Sequence, residues 1–300
     1  MKFQLNQIPG IASAGEIKLF SEMQRILNHN GNKSVFCKTV HQHYVKFVGP
    51  HGAIMKREIA DLLLVSLDYA TKCVRICFLQ AKRHRGNPMS APIYRFQGEF
   101  GQFYLLKNRP ILIPGIFPPY SLCFSPARSL TTYGVFYNDA KKQIDFFYSA
   151  ADHLSKNSSS TKKGPLELDT TIVGSLPISK QYISGGVLFD ESTAVDGIDA
   201  FERELVSWKI GAVLPFCCQK LVLYYLFRIA LNMLGKNRMD SYFENDDFEN
   251  RQMILRSLAH DFDINIDYDD EEWSKFDLIP FPSIMFVGCD SKAEHNERKD

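Results

Sequence analysis

Long apolar runs are scarce in this chain. The most continuous stretch, Ile210–Leu234, is interrupted by Gln219, Lys220 and Arg228. Each charge near a bilayer centre costs about 2.5–3.5 kcal/mol, so a buried helix is expected there and not a membrane span. Signal-peptide character is missing too, because Met1–Gly10 holds one lysine and no sustained apolar core. Cysteine follows no pattern: Cys37, Cys73, Cys77, Cys123, Cys217, Cys218 and Cys289 are an odd set without zinc-ribbon spacing. Reduced, buried thiols in a cytoplasmic protein are the expectation, with the adjacent Cys217 and Cys218 in the core of a helix. Cys37, His41, His43 and His51 do not fall at finger spacing either. Gly-x-Gly-x-x-Gly, a complete Walker A loop and Gly-x-Ser-x-Gly are all absent. That removes the usual signatures of dinucleotide binding, P-loop phosphoryl transfer and serine hydrolysis. No internal repeat is visible.

What the chain does hold is enough apolar surface for a sizeable core. Its 300 residues are 45% hydrophobic, 13% aromatic and 23% charged, which excludes global disorder, a collagen-like repeat and a disulfide mini-scaffold. Acids are rare in the first third. Residues 1–115 carry 16 Lys/Arg and 6 Asp/Glu, a net of +10, whereas residues 240–272 carry 12 acids and two arginines, a net of −10. The first segment looks suited to a polyanion, and the second to repel one or to cover the first.

Capping and periodicity outline the elements. Ser13-Ala-Gly-Glu16 reads as a capping box opening a helix with Phe20, Met23 and Leu27 on one stripe. Ser34–Phe47 reads as extended, and Gly49-Pro-His-Gly52 as a turn. Two apolar runs, Ile59–Leu67 and Cys73–Leu79, are close enough to form an antiparallel pair. Arg95–Lys107 is expected to be helical, Thr132–Tyr137 and Ile144–Tyr148 a hairpin, Asp199–Ile210 and Pro215–Leu234 helices, and Ile284–Val287 a strand. Ser155–Gly164 is the clearest linker-like stretch. These signals predict an α/β fold with a mixed sheet flanked by helices. Residues 1–150 would form the core and 151–165 a loop. Residues 166–290 would be a more helical accessory part packed on that core, and 291–300 a frayed tail.

The chemistry concentrates in Glu58-Ile-Ala-Asp61-Leu-Leu-Leu-Val and Ile76-Cys-Phe-Leu-Gln80-Ala-Lys82-Arg83. An acid opens one apolar strand and Gln-x-Lys closes the next. Strand periodicity puts Gln80 and Lys82 on one face, and an antiparallel pairing brings Asp61 to them. This resembles the PD-(D/E)xK nuclease superfamily over roughly residues 13–110. Gln in the middle position also occurs in that superfamily, notably in restriction endonucleases similar to the Mrr type. The resemblance implies a restriction-endonuclease-like core and a Mg²⁺ (or Mn²⁺) ion held by Asp61 with Gln80 and the Ala81 backbone carbonyl. It implies Lys82 as the group that orients a water or stabilises charge. Glu58 and Glu16 are candidate acids that make up for the carboxylate missing at Gln80.

Arg83 and Arg85, continuing from the motif, are expected to contact nucleic-acid phosphates. Gln102 resembles a glutamine that some exonucleases of the superfamily carry after the lysine strand, and it is a further candidate nucleic-acid contact. The expected function is metal-dependent phosphodiester hydrolysis, of DNA by resemblance, with a role in defence against foreign DNA. The alternative is a catalytically weak nuclease-fold protein that binds nucleic acid or a partner protein. A third reading is an interaction protein that works through its acidic segment. A homo-oligomer or a partner subunit is left open, and no membrane contact is expected.

Overall fold

The computed structural model describes residues 1–39, 44–86, 88–89, 93–110, 112, 128–157, 162–169, 171, 179–182, 188–240, 245–266 and 281–290. The strands are β1 (Ser34–Cys37), β2 (Tyr44–Val48), β3 (Ile54–Glu58), β4 (Leu62–Asp68), β5 (Val74–Arg83), β6 (Ile93–Glu99), β7 (Thr131–Asn138) and β8 (Ile144–Ala150). They continue with β9 (Ser155–Lys156), β10 (Lys163–Asp169), β11 (Ser179–Tyr182), β12 (Leu188–Glu191), β13 (Ala194–Asp196), β14 (Ala212–Val213) and β15 (Ser283–Cys289). The helices are α1 (Lys2–Asn6), α2 (Glu16–His29), α3 (Phe100–Asn108), α4 (Ile198–Val206), α5 (Phe216–Asp240) and α6 (Asn245–Asp261).

One mixed sheet organises the fold, in the order β1-β15-β4-β5-β7-β8-β13 with β14 also on β5. β15 runs parallel to β4 and β5 parallel to β7, while β4 and β5 are antiparallel. The central strands are apolar on both faces: β4 and β15 are buried throughout, and β5 from Val74 to Ala81. That is what a sheet covered by helices on both sides demands. Leu19, Phe20 and Met23 of α2 and Phe201 and Leu205 of α4 meet Leu62, Leu64 and Leu79 on one face. Helices α5 and α6 meet Leu63, Val65 and Phe78 on the other through Phe227, Leu255 and Leu258. A third cluster gathers Phe100 and Phe103 of α3, Tyr94 and Phe96 of β6 and Tyr133 of β7.

The α/β class, the mixed sheet and the hairpin β7–β8 agree with the reading of the sequence. Four local expectations change. The capping box does not form: Gly15 is the N-cap of α2, and Ser13 sits in a 3₁₀ turn donating its hydroxyl to the Gly10 carbonyl at 2.9 Å. Arg95–Glu99 is strand, not helix, because Tyr94, Phe96 and Gly98 alternate inward against exposed Arg95 and Gln97. β5 runs on to Arg83, because β7 pairs with it through that residue. Cys217 is exposed and Cys218 only half-buried, at the first turn of α5.

Strands from both sides of residue 150 share the main sheet, which therefore does not break there. Within the 155–164 stretch, β9 and the start of β10 belong to a small sheet beside β6, and residues 158–161 lie outside the described residues. Cys123, His41, His43 and the 291–300 tail also lie outside them. Among the described residues no helix is long and apolar enough to cross a membrane, and the six described cysteines are all free thiols.

Candidate active site

The site exists because β4 stops short of β5. The antiparallel register pairs Leu62 with Leu79, and β4 has no residue in the sheet beyond that point. β5 continues through Gln80, Ala81, Lys82 and Arg83 with only β7 beside it. In a strand a residue's N–H and C=O point to the same side, so Ala81 directs both into the gap that β4 vacates. Asp61, one residue before β4, fills part of that gap: its Oδ2 accepts the Ala81 N–H at 2.8 Å. The same Oδ2 accepts from the Gln80 side-chain amide, whose Nε2 also lies 3.4 Å from the Ala81 carbonyl oxygen. Asp61, Gln80 and the Ala81 carbonyl thus converge, as expected from the motif.

Gln80 is buried, and its orientation is set from behind. Gln102 of α3, also buried, donates its Nε2 to Gln80 Oε1 and to the Glu58 carbonyl at 3.3 Å. Gln102, a candidate nucleic-acid contact from the sequence, thus holds the Gln80 amide from behind and also lines the cleft at this site. As oriented here, Gln80 presents Nε2 toward Asp61. Turning its amide over presents Oε1 instead and requires Gln102 to turn with it, so the two glutamines act as one unit.

Around this point lies an open cleft of about 430 Å³, lined by Glu16, Glu58, Asp61, Gln80, Lys82 and Glu99 among others. Helix α2, begun at Glu16, supplies that carboxylate; the junction of β6 and α3 supplies Glu99. Burial lifts the Asp61 carboxyl to about 6, with Lys82, the Ala81 N–H and the Gln80 amide pulling it down and Glu16 pushing it up. Burial likewise lifts Glu58 to about 7, helped by Asp61 and Glu99 and opposed by Lys82. Perturbed carboxylates sharing a cleft with basic side chains mark it as a functional-site candidate.

Several cleft residues were not singled out from the sequence. Lys56 and Arg57 of β3 line the cleft. Arg57 donates Nη1 to the Lys56 carbonyl at 2.7 Å, and its Nε is buried without a hydrogen-bond partner among the described residues. It packs on α3 where Gly101 stands; a Cβ there would meet Arg57 Nε at 2.5 Å. Consecutive charges in a short ribbon strand do not tell in a sequence which of them faces a cleft.

Arg83 and Arg85 are not among the residues lining the cleft. Arg83 turns its guanidinium to the Asn138 side chain at 3.0 Å, away from the cleft, and burial holds its pKa down. Arg85 is exposed, 3.4 Å from the Ser13 carbonyl. The described part of the acidic segment, α6, packs on α5 and β1 and contributes nothing to the cleft lining. Residues 241–244 and 267–272 lie outside the described residues.

Tyr133 pairs with Gln80 across β5 and β7 and shares its face. Its hydroxyl is buried without a hydrogen-bond partner among the described residues, and burial, Asp61 and Glu99 all push its ionisation upward. Removing an unpartnered hydroxyl should cost nothing: Tyr133→Phe is expected to keep or raise stability, by up to about 1 kcal/mol. Urea denaturation of the two proteins checks this, and a clear drop in stability would show the hydroxyl to be engaged.

Among the described residues no three His, Cys, Asp or Glu side chains gather to hold a metal. The donor set at β5 is instead mixed: one carboxylate, one amide and one main-chain carbonyl. The carboxylate and the carbonyl are hard oxygen donors of the kind Mg²⁺ and Mn²⁺ accept while keeping several waters, and Gln80 adds a third oxygen only when its amide is turned over. The set fits such an ion. Compared with known proteins, the chain matches no family model, no curated protein and no solved structure.

Proposed function

We propose that this protein is a metal-dependent nuclease with a restriction-endonuclease-like core, hydrolysing phosphodiester bonds of DNA. The reading is carried by the meeting of Asp61, Gln80 and the Ala81 carbonyl where β4 ends, with Lys82 on the same face of β5. Asp61 Oδ2, Gln80 Oε1 in its turned-over orientation and the Ala81 oxygen would hold Mg²⁺ or Mn²⁺. Bound there, the ion would neutralise phosphate charge and lower the pKa of a water.

The chain's own groups do the rest. Lys82 brings a positive charge that orients the attacking water or stabilises the charge growing on the phosphate. Glu58, lifted to about 7, is suited to take the proton that water loses. Lys56 and Arg57 hold the phosphate backbone from the β3 side of the cleft. A role in defence against foreign DNA rests on the resemblance of the Gln-x-Lys variant to restriction enzymes.

The test is cleavage of plasmid and linear DNA with Mg²⁺, Mn²⁺ or EDTA. Products are expected with either ion and none in EDTA. Gln80→Glu restores the missing carboxylate and should lower the metal concentration needed for half-maximal rate. DNA binding without cleavage under any ion would instead support the catalytically weak nuclease-fold reading.

A further inference from the structure

β2 and β3 form a two-stranded ribbon outside the main sheet, and its two faces differ sharply. The inner face is pinned: Val45 and Phe47 are buried, Phe47 stacks on Tyr104 of α3 with centroids 6.3 Å apart, and Met55 and Arg57 lie against Gly101. The ribbon is therefore a fixed arm. Its outer face pairs Tyr44 with Glu58, Lys46 with Lys56 and Val48 with Ile54. Glu58 and Tyr44 form the end that enters the cleft, and Val48 and Ile54 the end beside the Gly49–Ala53 turn.

Two features of that outer face call for an occupant. Lys46 and Lys56 are exposed and stand directly opposite each other, with Lys56 Nζ also 5.2 Å from the centroid of the Tyr44 ring on the same face; like charges facing across a strand pair are destabilising, and an anion bound between them would relieve that. Val48 and Ile54, 48% and 71% exposed, put an apolar pair at the far end of the same face. At five residues a strand, the ribbon reaches roughly 17 Å from the cleft.

We infer that the outer face of this ribbon is a docking arm for duplex DNA, extending the cleft beyond the reacting phosphate. A two-stranded ribbon fits a major groove about 12 Å wide. Lys46 and Lys56 take backbone phosphates, which relieves their mutual repulsion, and Val48 and Ile54 make apolar contact inside the groove. The inference rests on the nuclease reading of the cleft and assigns the substrate as double-stranded.

The experiment is fluorescence anisotropy in EDTA, where no cleavage is expected, with a labelled 20-base-pair duplex and a single strand of the same length over a salt series. Lys46→Ala/Lys56→Ala should weaken duplex binding and reduce the salt slope by about two, one for each phosphate that is no longer neutralised. Val48→Ser/Ile54→Ser should weaken it several-fold at every salt concentration and leave the slope unchanged. Circular dichroism confirms that both variants keep the inner-face packing. Tight duplex binding by the wild type that neither variant alters overturns the arm while leaving the cleft reading standing. So does metal-dependent cleavage by a wild type that does not hold the duplex in EDTA. Tighter binding of the single strand, weakened equally by the variants, overturns the assignment of a duplex.

Discussion

Asp61→Ala is expected to remove metal-dependent cleavage altogether, and Lys82→Ala to slow it by roughly 10²–10³-fold. The first takes away the carboxylate that, alone among the described residues, touches both Gln80 and Ala81 at the end of β4. The second removes the cation that pulls the pKa values of Asp61 and Glu58 down together. What remains of Lys82→Ala activity should therefore rise at higher pH than in the wild type, because both carboxyls protonate more readily without the lysine. Neither substitution empties a core position, so circular dichroism and denaturation should show folded proteins. Wild-type cleavage rates in both variants, in preparations free of contaminating nuclease, would reject the assignment.

A large effect of pH on stability is expected from the same group. The Asp61 carboxyl ionises near 6 in the folded protein, above its ordinary value of 3.8. Below pH 4 it is protonated in both folded and unfolded chains and contributes no difference. Between about 4 and 6 the folded state binds more protons, so stability falls as pH rises, and above 6 the full cost of a buried charge is present. Two units correspond to at most about 3 kcal/mol, reduced toward 1 by the partial exposure of the side chain. Glu58 acts in the same direction.

Relative to wild type, Asp61→Asn should thus gain stability between pH 4 and 8, measured by denaturant midpoints in EDTA. Mg²⁺ should recover stability for the wild type at pH 8, where the carboxylate is ionised, and do little at pH 5. Parallel pH curves for the two proteins would mean that Asp61 is not held near 6.

The heart of the site was legible because two local signals coincided. Apolar runs marked β4 and β5, and the polar residues at their margins, Asp61, Gln80 and Lys82, stood out against them. Period-two geometry then required Gln80 and Lys82 to share a face. The remaining wall was not legible. Lys56 and Arg57 reach the cleft through β3, a short strand that pairs outside the main sheet. The alternation of Tyr94, Phe96 and Gly98 was present but was overridden by the helical run that follows it. The contact of Gln102 with Gln80 was not legible, since no sequence pattern tells a helix residue that faces a cleft from one that also faces another glutamine. Arg83 looked like a phosphate contact because it follows the motif, yet it is still part of β5 and its guanidinium turns toward Asn138.

The position of β15 has a consequence in time. This strand lies between β1 and β4, and its first residue, Ser283, pairs with Leu62, next to Asp61. During synthesis the ribosome finishes Lys82 long before Cys289. At about 5–20 residues per second the interval is roughly 10–40 s. Throughout it, β4 has an open edge where its parallel neighbour belongs, and the carboxylate beside that edge has no rigid frame. If the cleft cuts DNA as proposed, it stays unassembled on every growing or prematurely ended chain that lacks β15, and it becomes competent only once that strand has been made.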